Sequence, residues 1–475
     1  MRKIILSSLL MLAVVSLSAQ KCRELHILSI NDPHAAIEQF PRLGFVADSL
    51  RALYPDLLIL SAGDNRSGDP INDMFEIPAY PMVALMNQVG FHATAVGNHE
   101  FDSAQDGLAR LIGLGTFSTL CANMEPDPKW KMHVKPYQVF DCGGISVGII
   151  GITALGSMGT PESHPARLTD IKFMEPLETI QKYQFLRDKC DVVLLLSHLG
   201  FETDVKFSAE LPWVDIIVGG HTHTQLDGGE IHNGILITQN AKGIPYATHS
   251  TLVLEGQKIV EKKAERIAVK GMPSVNKTVA ELVRYFSENP AFQRVLAVAE
   301  TPFDCNEELG CMVCDAYVAE TGADFSYQNA GGVRIENHPA GDMTVGDVMK
   351  MDPFQNALVE LHVTGKELSE MLISCYDNDK QRFPYVGGLT CDIVTDPATL
   401  KIKKLTLYDK DGKKLNLKKT YHVVGNSYSV AVSPTNRADQ GQSMGITTPE
   451  VIMNYLEHQS RISYQGRRCL NIVKK

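Results

Sequence analysis

The sequence predicts an α/β layered domain followed by a separate α+β domain. A chain of 475 residues exceeds one compact unit, because a domain takes roughly 150 residues. Short apolar runs alternate with amphipathic stretches in the first half, whereas the second half mixes strands with helices without that alternation. The composition, with 44% hydrophobic and 21% charged residues, is ordinary for a globular protein.

The apolar runs of the first half have the length of buried strands. They read LHILSIN, LLILSAG, TAVG, ISVGIIGI, VVLLLS, DIIVGG and ILITQ. Amphipathic stretches such as LGFVADSLRALY and PLETIQKYQFLRDKC lie between several of them. Because buried strands that alternate with helices are typical of a layered α/β domain, we predict such a domain over residues 20–270.

A connector separates the two predicted domains. KGMPSVNKT, at residues 270–278, contains Gly, Pro and Ser, and the amphipathic VAELVRYFSENPAFQRVL follows it. We therefore predict a linker and connecting helix over residues 271–300. The second domain, over residues 301–475, begins with the helical pattern CMVCDAYVAETG and continues through NALVELHVTGKELSEMLISCY and YHVVGNSYSVAVS.

The first residues, MRKIILSSLLMLAVVSLSAQ, have the pattern of a secretory signal peptide. Arg2 and Lys3 form a basic start, residues 4–17 are apolar but too short to span a bilayer, and Ala19 offers a small residue for cleavage. We predict a signal peptide over residues 1–19 and export of the mature chain to the periplasm or the outside. No later stretch predicts a membrane span.

The net charge restricts the classes of binding partner, and the cysteines bear on whether disulfides form. A net charge of −10 without a basic stripe argues against a nucleic-acid polymer as partner. A small phosphorylated ligand stays compatible, because bound metal ions supply local positive charge. Export permits disulfides, and we expect one or two among the cysteines of the second half, with the pairing left open. The helical pattern around Cys311-x-x-Cys314 favours packing or a disulfide over a redox motif.

Polar side chains of the kinds that bind metals follow five of the predicted strands. In chain order they are Asp32 and His34, then Asp64, then Asn98, His99 and Asp102, then His198, then His221 and His223. Taken alone, such an Asp is usually a turn or cap residue and such a His a satisfied edge residue. Because ligand sites form at the carboxyl ends of strands in open α/β sheets, their recurrence there favours a metal site.

The kinds of ligand restrict the metal and its number. Imidazole, carboxylate and amide oxygen suit Zn, Mn, Co or Fe. About seven candidate ligands exceed the needs of one ion, so two divalent ions that share a carboxylate fit better. Paired ions roughly 3.5–4 Å apart are a common arrangement for displacement at phosphorus.

Five sequence blocks resemble those of the calcineurin-like metallophosphoesterases. The blocks are NDPHAA, AGDNRSGD, GNHEFD, LSHLG and GGHTHT. Their order and the chain length resemble the branch of secreted 5'-nucleotidases and cyclic-nucleotide phosphodiesterases, and NAGGVR near residue 329 resembles that branch's C-terminal domain. The resemblance implies a four-layer α/β/β/α sandwich with a dimetal centre, followed by an α+β substrate-recognition domain.

The resemblance also implies a role for each matching residue of the first domain. One metal would be held by Asp32, His34, Asp64 and His223, and the other by Asp64, Asn98, His198 and His221. Asp64 would bridge the two ions, and His99 and Asp102 would form the catalytic pair. Glu100 is assigned a supporting role rather than that of a ligand.

In the second domain, the resemblance implies a nucleotide site. Asn329, Gly332 and Arg334 would lie near the nucleotide. Phe383 in RFPYVGG and Tyr428 in VVGNSYS would stack on its base, a contact worth roughly 1–3 kcal/mol per base. Phe354, in DPFQN, matches a family loop and is assigned a structural role.

The function implied by the resemblance is release of phosphate from nucleoside 5'-monophosphates by attack of a metal-bound hydroxide. Alternative substrates on the same centre are 2',3'-cyclic nucleotides, nucleotide sugars and a broader set of phosphomonoesters. They stay open because SVAVSPTNRADQGQSMG stands where the branch usually has an Asn-Gly-Gly-Asp-Gly-like stretch, with Asp439 the nearest acidic residue. The native metals, the oligomeric state and the disulfide pairing are not determined by the sequence.

Overall fold

Two sheets form the centre of the first domain in a computed structural model of the chain. The structure describes residues 22–474 except 289, 380 and 434–436, so the predicted signal peptide at residues 1–19 lies outside the described residues. In spatial order, the first sheet consists of β14 (Lys258–Ala268), β13 (Tyr246–Glu255), β1 (Arg23–Ile30), β2 (Leu58–Ser61), β3 (Ala93–Ala95) and β4 (Ser118–Leu120). The second consists of β11 (Glu230–His232), β12 (Ile235–Thr238), β10 (Ile216–Val218), β9 (Val192–His198), β7 (Ile145–Thr153) and β6 (Tyr137–Cys142).

The inner strands of both sheets are parallel. β1 to β4 run parallel to one another in the first sheet, and β7, β9, β10 and β12 do so in the second. β13 and β14 extend the first sheet in antiparallel pairing, and β6 and β11 close the edges of the second in the same way. Ligand-bearing loops therefore follow strands of both sheets, and not of one sheet only.

The first domain has four layers, as predicted. Apolar side chains on the inner face of each sheet meet those of the other: Leu25 and Leu58 pack with Val147 and Leu194 in a core between the sheets. Helices cover the two outer faces. On the side of the first sheet lie α1 (Phe40–Leu53), α3 (Tyr80–Val89) and α7 (Lys277–Ser287), and on the other side lie α5 (Pro176–Gln181) and α6 (Phe201–Ser208).

Smaller elements complete the first domain. They are α2 (Pro70–Asp73), α4 (Ala104–Leu114), the pair β5 (Met124–Pro126) and β8 (Ile171–Phe173), and 3-10 turns at Ile37–Gln39, His99–Ser103, Pro128–Trp130, Pro165–Arg167 and Gln184–Asp188. The turns at His99–Ser103 and Pro165–Arg167 both border the site described below.

The predicted connector contains elements that belong to both sides. α7 places Val279 and Phe286 in the core beneath the first sheet, against α1 and α3. A 3-10 turn at Pro290–Gln293 follows, and then β15 (Val295–Ala299), which pairs with β17 (Gly341–Thr344) and β24 (Arg461–Ile462) of the second domain.

The second domain is α+β, as predicted. Its central sheet consists of β19 (Tyr385–Gly387), β16 (Phe325–Gln328), β22 (Thr420–Asn426), β18 (Ala357–Thr364) and β23 (Gln442–Thr447), and a further sheet of β21 (Ile402–Asp409), β20 (Leu389–Thr395) and β25 (Leu470–Lys474). The helices are α8 (Asn306–Thr321), α9 (Val345–Met351), α10 (Gly365–Asn378), α11 (Ser427–Ala431) and α12 (Thr448–Gln459), with a 3-10 turn at Ala330–Gly332.

Neither a membrane-spanning helix nor a disulfide is present among the described residues. Among the described residues, no helix combines the length and the apolar character that crossing a bilayer requires. All ten cysteines fall in the described part of the chain, and no two of their sulfur atoms are bonded to each other there.

Candidate dimetal active site

Five of the predicted metal ligands adopt a left-handed backbone conformation in the loops after β1, β2 and β10. Their φ angles are +47° at Asp32, +46° at His34, +52° at Asp64, +78° at His221 and +56° at His223. Residues other than glycine rarely adopt this conformation, and it persists only where surrounding contacts hold it. The residues with a strained backbone in these loops are therefore residues that were predicted to bind metal.

Asp32, His34 and His223 bring three ligand atoms to one point. His34 Nε2 lies 3.2 Å from His223 Nε2, which lies 3.5 Å from Asp32 Oδ1. The ligand atoms of these three residues all fall within 4.8 Å of one another. Asp64 Oδ2 approaches from β2, 3.9 Å from His34 Nε2. The structure therefore brings together the first predicted ligand set.

Members of the second predicted set contact one another in sequence from Asp64 to His198, whose ring centroid lies 5.0 Å from that of His221. His198 Nε2, at the end of β9, lies 3.2 Å from Asp64 Oδ2 and 4.0 Å from Asp32 Oδ1. His221 Nδ1 lies 3.0 Å from Asn98 Oδ1. Asp64 Oδ2 thus lies near His34 of the first predicted set and near His198 of the second, as a ligand shared by two ions would.

The buried charges of this centre fit divalent cations. Asp32, Asp64 and His198 are at most 2% exposed, and buried carboxylates require a compensating charge. His198 Nδ1 hydrogen-bonds Ala62 O at 2.7 Å, so Nε2 faces the carboxylates of Asp64 and Asp32. Burial opposes protonation of this ring, but Asp64 and Asp32 outweigh burial and raise the pKa of His198 to about 10. The site thus stabilises positive charge at the point where a shared cation would lie.

Glu100 acts as a scaffold for the ligand loops. Its carboxylate accepts hydrogen bonds from the backbone N–H groups of Asp64, Asn65 and Gly97, at 2.9, 2.7 and 2.6 Å. These bonds clamp the loop after β2 against the loop after β3. Gly97 is needed at this contact, because a Cβ there would lie 2.3 Å from Asp64 Oδ1 and 2.8 Å from the His198 ring.

His99 and Asp102 form a hydrogen-bonded pair beside the predicted ligands. His99 Nδ1 lies 2.8 Å from Asp102 Oδ2, which also accepts a 2.5 Å hydrogen bond from Ser67 Oγ. Arg167 Nη1 donates to Asp102 Oδ1 at 3.0 Å. Burial opposes ionisation of Asp102, but the His99 ring and the Arg167 guanidinium outweigh burial and hold the pKa of the carboxyl well below its usual value. Asp102 is therefore charged, and it orients His99 with Nε2 free for another group.

The second domain closes a cavity over this centre. The cavity has a volume of about 330 Å³, within the range of small-molecule sites. From the first domain it is lined by His34, Asp64, Asn98, His99, Asp102, Glu162, Ser163, His164, Arg167, His221, Thr222, His223 and Lys242. From the second it is lined by Asn329, Gly331, Arg334, Phe354, Asn356, Asn378, Asp379, Arg382 and Tyr428.

Three of the five predicted substrate residues line this cavity. Arg334 reaches across to the metal centre, with Nη2 3.4 Å from both ring nitrogens of His34. Asn329 Oδ1 accepts hydrogen bonds from Asn426 and Ser429, which fixes its side chain at the wall. Tyr428, at the start of α11, forms another part of the wall.

The structure differs from the sequence prediction at Phe383 and Gly332. Phe383 is 4% exposed and packs on Tyr376 of α10, in the core of the second domain and away from the cavity. Gly332 is not among the residues that line the cavity, and a Cβ there would lie 2.0 Å from Gln328 Nε2 and 2.8 Å from Asn329 Oδ1, so its small size leaves room for these two side chains. The neighbouring Gly331 lines the cavity instead.

Phe354 lines the cavity, although the sequence prediction gave the aromatic wall to Phe383 and Tyr428. Its ring stacks on His99, with centroids 5.6 Å apart and planes 21° apart, and the Arg334 guanidinium lies 5.7 Å from its centre. The structural role assigned to Phe354 from the sequence is therefore incomplete. The sequence signal that pointed to Phe354 was its place in DPFQN, which matches a family loop.

The sequence prediction missed Arg167 and Ser67, which both contact Asp102. Ser67 lies within the block AGDNRSGD, so its position offered a signal. Arg167 lies in a 3-10 turn without any recognised block. Besides Asp102, it binds the second domain, since its Nη2 donates to Phe354 O at 3.0 Å.

Comparisons with known proteins agree with both halves of this arrangement. The calcineurin-like phosphoesterase family profile matches residues 25–225, and the profile of the 5'-nucleotidase C-terminal domain matches residues 287–433. The chain is 27% identical to a 5'-nucleotidase of Vibrio cholerae, over 94% of this chain and 92% of that one. It is 25% identical to Protein UshA of Yersinia enterocolitica, over 94% and 93% of the two chains.

A solved structure shares the fold. The 5'-nucleotidase precursor of Thermus thermophilus superposes with a TM-score of 0.82 at 24% identity, over 95% of this chain and 99% of that one. The two profile matches lie in the same order as the two domains of the structure. Residues 25–225 thus match the calcineurin-like phosphoesterases and residues 287–433 the 5'-nucleotidase C-terminal domain, and the chain is a metal-dependent phosphoester hydrolase.

Proposed function

We propose that the chain is an exported phosphohydrolase that releases phosphate from nucleoside 5'-monophosphates. The observation that supports this most is the joint cavity, which is lined by five of the seven predicted metal ligands and His99 and by Arg334, Phe354 and Tyr428 of the second domain. A phosphate at the centre would place the rest of a nucleotide against the second domain. The name of the related 5'-nucleotidase from Vibrio cholerae agrees with a nucleotide substrate. The name of Protein UshA from Yersinia enterocolitica states no substrate.

Seven residues would hold two divalent cations. One ion would lie among Asp32, His34, Asp64 and His223, and the other among Asp64, Asn98, His198 and His221. When bound, such ions lower the pKa of water and neutralise the charge of a phosphate. The imidazole, carboxylate and amide donors suit Zn, Mn, Co or Fe.

His99 would act on the phosphoryl group and Asp102 on His99. With Nδ1 hydrogen-bonded to Asp102 Oδ2, the ring presents Nε2 to the cavity. From there it would donate a hydrogen bond to a phosphoryl oxygen as negative charge builds up, or pass a proton to the leaving oxygen. Asp102 stabilises the ring with the proton on Nδ1, so the pair remains oriented throughout.

The second domain would bind the remaining parts of the substrate. Arg334 offers a planar guanidinium suited to phosphate oxygens, next to His34. Phe354 and Tyr428 both line the cavity, and their rings provide flat apolar faces for a base. Stacking on such faces tolerates different bases, so this wall favours nucleotides as a class over one particular base.

Nucleotide sugars are a second candidate, because the cavity has cationic side chains besides Arg334 that a second phosphate could bind. Lys242 and Arg382 line it in addition to Arg334. Burial and, after it, repulsion from Arg334 and Arg382 lower the pKa of Lys242, while Arg382 is itself paired with Asp379 at 2.6 Å. A second phosphate would relieve this repulsion.

A substrate panel tests the proposal. Steady-state rates would be measured with 5'-AMP, 2',3'-cyclic AMP, a nucleoside-diphosphate sugar and a sugar phosphate, after chelation and reloading with Mn or Zn. We expect activity to be lost on chelation, restored by metal, and highest on 5'-AMP. A sugar phosphate that exceeds 5'-AMP by a large factor in kcat/KM would rule out the nucleotidase assignment.

His99→Ala separates catalysis from metal binding. We expect turnover to be abolished while the metal content stays near two ions per chain, because His99 is assigned to the phosphoryl group. Loss of both ions in this variant would show that His99 is a ligand. Cell fractionation of the full-length chain tests the proposed export, and retention in the cytoplasm with residues 1–19 uncleaved would contradict it.

A further inference from the structure

Four buried cysteines surround the last strand of the second domain. Cys311 and Cys314 lie on α8, Cys391 on β20, and Cys469 directly precedes β25. Each is at most 4% exposed. β25 is an edge strand, and among the described residues it pairs with β20 only. This strand is thus held by its pairing with β20 and by the contacts that Cys469 and Leu470 make with α8.

Cys311 and Cys469 are the two whose sulfur atoms meet. Their Sγ atoms and a carboxylate oxygen of Glu307 all lie within 4.8 Å of one another. Glu307 Oε1 accepts hydrogen bonds from the backbone N–H groups of Cys469 and Leu470, each at 3.2 Å. Since Glu307 lies one helical turn before Cys311, both side chains project from one face of α8 and fix the approach of the chain end.

The chemistry of this cluster favours a covalent link over a metal. A closed thiolate zinc site uses four ligands, whereas this group of described residues offers three, and Glu307 Oε1 already accepts two backbone hydrogen bonds. The hydrogen bond with Cys469 and burial raise the pKa of the Cys311 thiol, which disfavours the thiolate that a metal would need. A disulfide needs a thiolate only transiently, during exchange with the oxidant, so two thiols whose sulfur atoms lie within 4.8 Å of each other can be joined.

We infer that Cys311 and Cys469 form a disulfide in the exported protein. The inference rests on the proposed export, because disulfides persist in oxidising compartments. An Sγ–Sγ bond forms as the two thiols give up two protons and two electrons. The disulfide of a thiol–disulfide oxidoreductase takes up both and becomes a dithiol. The cross-link closes the chain between residues 311 and 469 and ties edge strand β25 to α8.

Peptide mapping tests the link directly. Residues 20–475, which include every described residue, would be exported from a bacterial host behind an independent secretion leader, so that failure of the predicted signal peptide does not affect the result. The protein would be denatured in N-ethylmaleimide, digested with trypsin and analysed by mass spectrometry with and without reductant. We expect residues 295–334 joined to residues 469–474, and release of both peptides on reduction.

Three variants identify the sulfur atoms. The joined peptides should be absent from Cys311→Ala and Cys469→Ala but present in Cys314→Ala, which removes a thiol from the same helix as a matched control. Complete alkylation of both wild-type cysteines, or a link that survives in Cys311→Ala, would overturn the inference. All variants should hydrolyse 5'-AMP like the wild type if the proposed function holds, so activity reports separately on that proposal.

Thermal unfolding provides a second measurement. Cross-links that close long loops constrain the unfolded chain, so reductant should lower the Tm of the wild type by roughly 5–15 °C. Cys311→Ala should unfold at the same temperature with and without reductant. Equal effects of reductant on both proteins would count against a link through Cys311.

Discussion

Replacing Asp102 by Asn tests how far catalysis depends on the orientation of His99. The wild-type carboxylate accepts hydrogen bonds from His99 Nδ1 and Ser67 Oγ through Oδ2 and from Arg167 through Oδ1. An amide has one oxygen, so it cannot accept on both sides. If the oxygen faces Arg167, the amide N–H groups face His99 Nδ1, which must then accept a hydrogen bond and cannot hold its proton there.

The size of the effect follows from the bond that is lost. A hydrogen bond to a charged group contributes about 1.5–3 kcal/mol, and each 1.36 kcal/mol is a factor of ten in rate. We therefore expect kcat on 5'-AMP to fall roughly 10–150-fold in Asp102→Asn. Metal content should not change, since Asp102 belongs to none of the groups of potential ligand atoms found among the described residues.

Ser67→Ala is the matched control, because it removes a neutral donor from the same carboxylate oxygen. A neutral hydrogen bond contributes about 0.5–1.5 kcal/mol, so kcat should fall only roughly 2–13-fold. Steady-state kinetics and elemental analysis of the metals would be run on both variants. Full activity in Asp102→Asn, or loss of its metals, would refute the assignment of Asp102 as the group that orients His99.

Three further predictions concern the second domain and its contact with the first. Phe354→Ala should raise KM for 5'-AMP by roughly 5–150-fold through lost stacking, whereas Phe383→Ala should lower Tm with little change in KM; the reverse pattern would favour the original sequence prediction. Arg167→Met removes the hydrogen bonds to Asp102 and Phe354 O, so kcat/KM should fall roughly 10–150-fold. Arg167→Lys should recover part of this loss. An unchanged pH profile and an unchanged kcat/KM would contradict a positioning role for Arg167. Burial raises the pKa of Asp352 to about 6, so the folded state holds this proton between pH 4 and 6 while the unfolded state releases it. This stabilisation is complete below the pKa of the unfolded state and is lost as the pH rises through 6. Between pH 4 and 8, the free energy of unfolding of Asp352→Asn should therefore rise relative to that of the wild type by up to roughly 3 kcal/mol in denaturant titrations. A difference between the two proteins that is independent of pH would count against this.

The clustering of the candidate metal ligands could be predicted because their signal is local. Each lies where a short apolar run ends, and such a run predicts its own strand without reference to the rest of the chain. The structure brings the seven predicted ligands together. The choice between Phe354 and Phe383 was not local. Both are aromatic residues beside a proline, and only the packing of Phe383 on Tyr376 shows which of them belongs to the core.

Arg167 shows the same limit for a polar residue. It is separated from Asp102 by 65 positions and from the Phe354 carbonyl by 187, and its surrounding sequence matches no block. A guanidinium can pair with many carboxylates, so its partners depend on where the turn at Pro165–Arg167 is placed. That placement is a property of the assembled domains.

By itself, the sequence determined the strands, the polar residues that end them and the two-domain order. Only the tertiary structure decided that these strands belong to two facing sheets, with Asp32, Asp64 and Asn98 following one and His198 and His221 following the other. The physical reason is that strand formation and turn chemistry act over a few residues, whereas the burial that joins the sheets is non-directional and acts between distant segments. The ligand atoms meet because that burial aligns the carboxyl ends of both sheets at one edge.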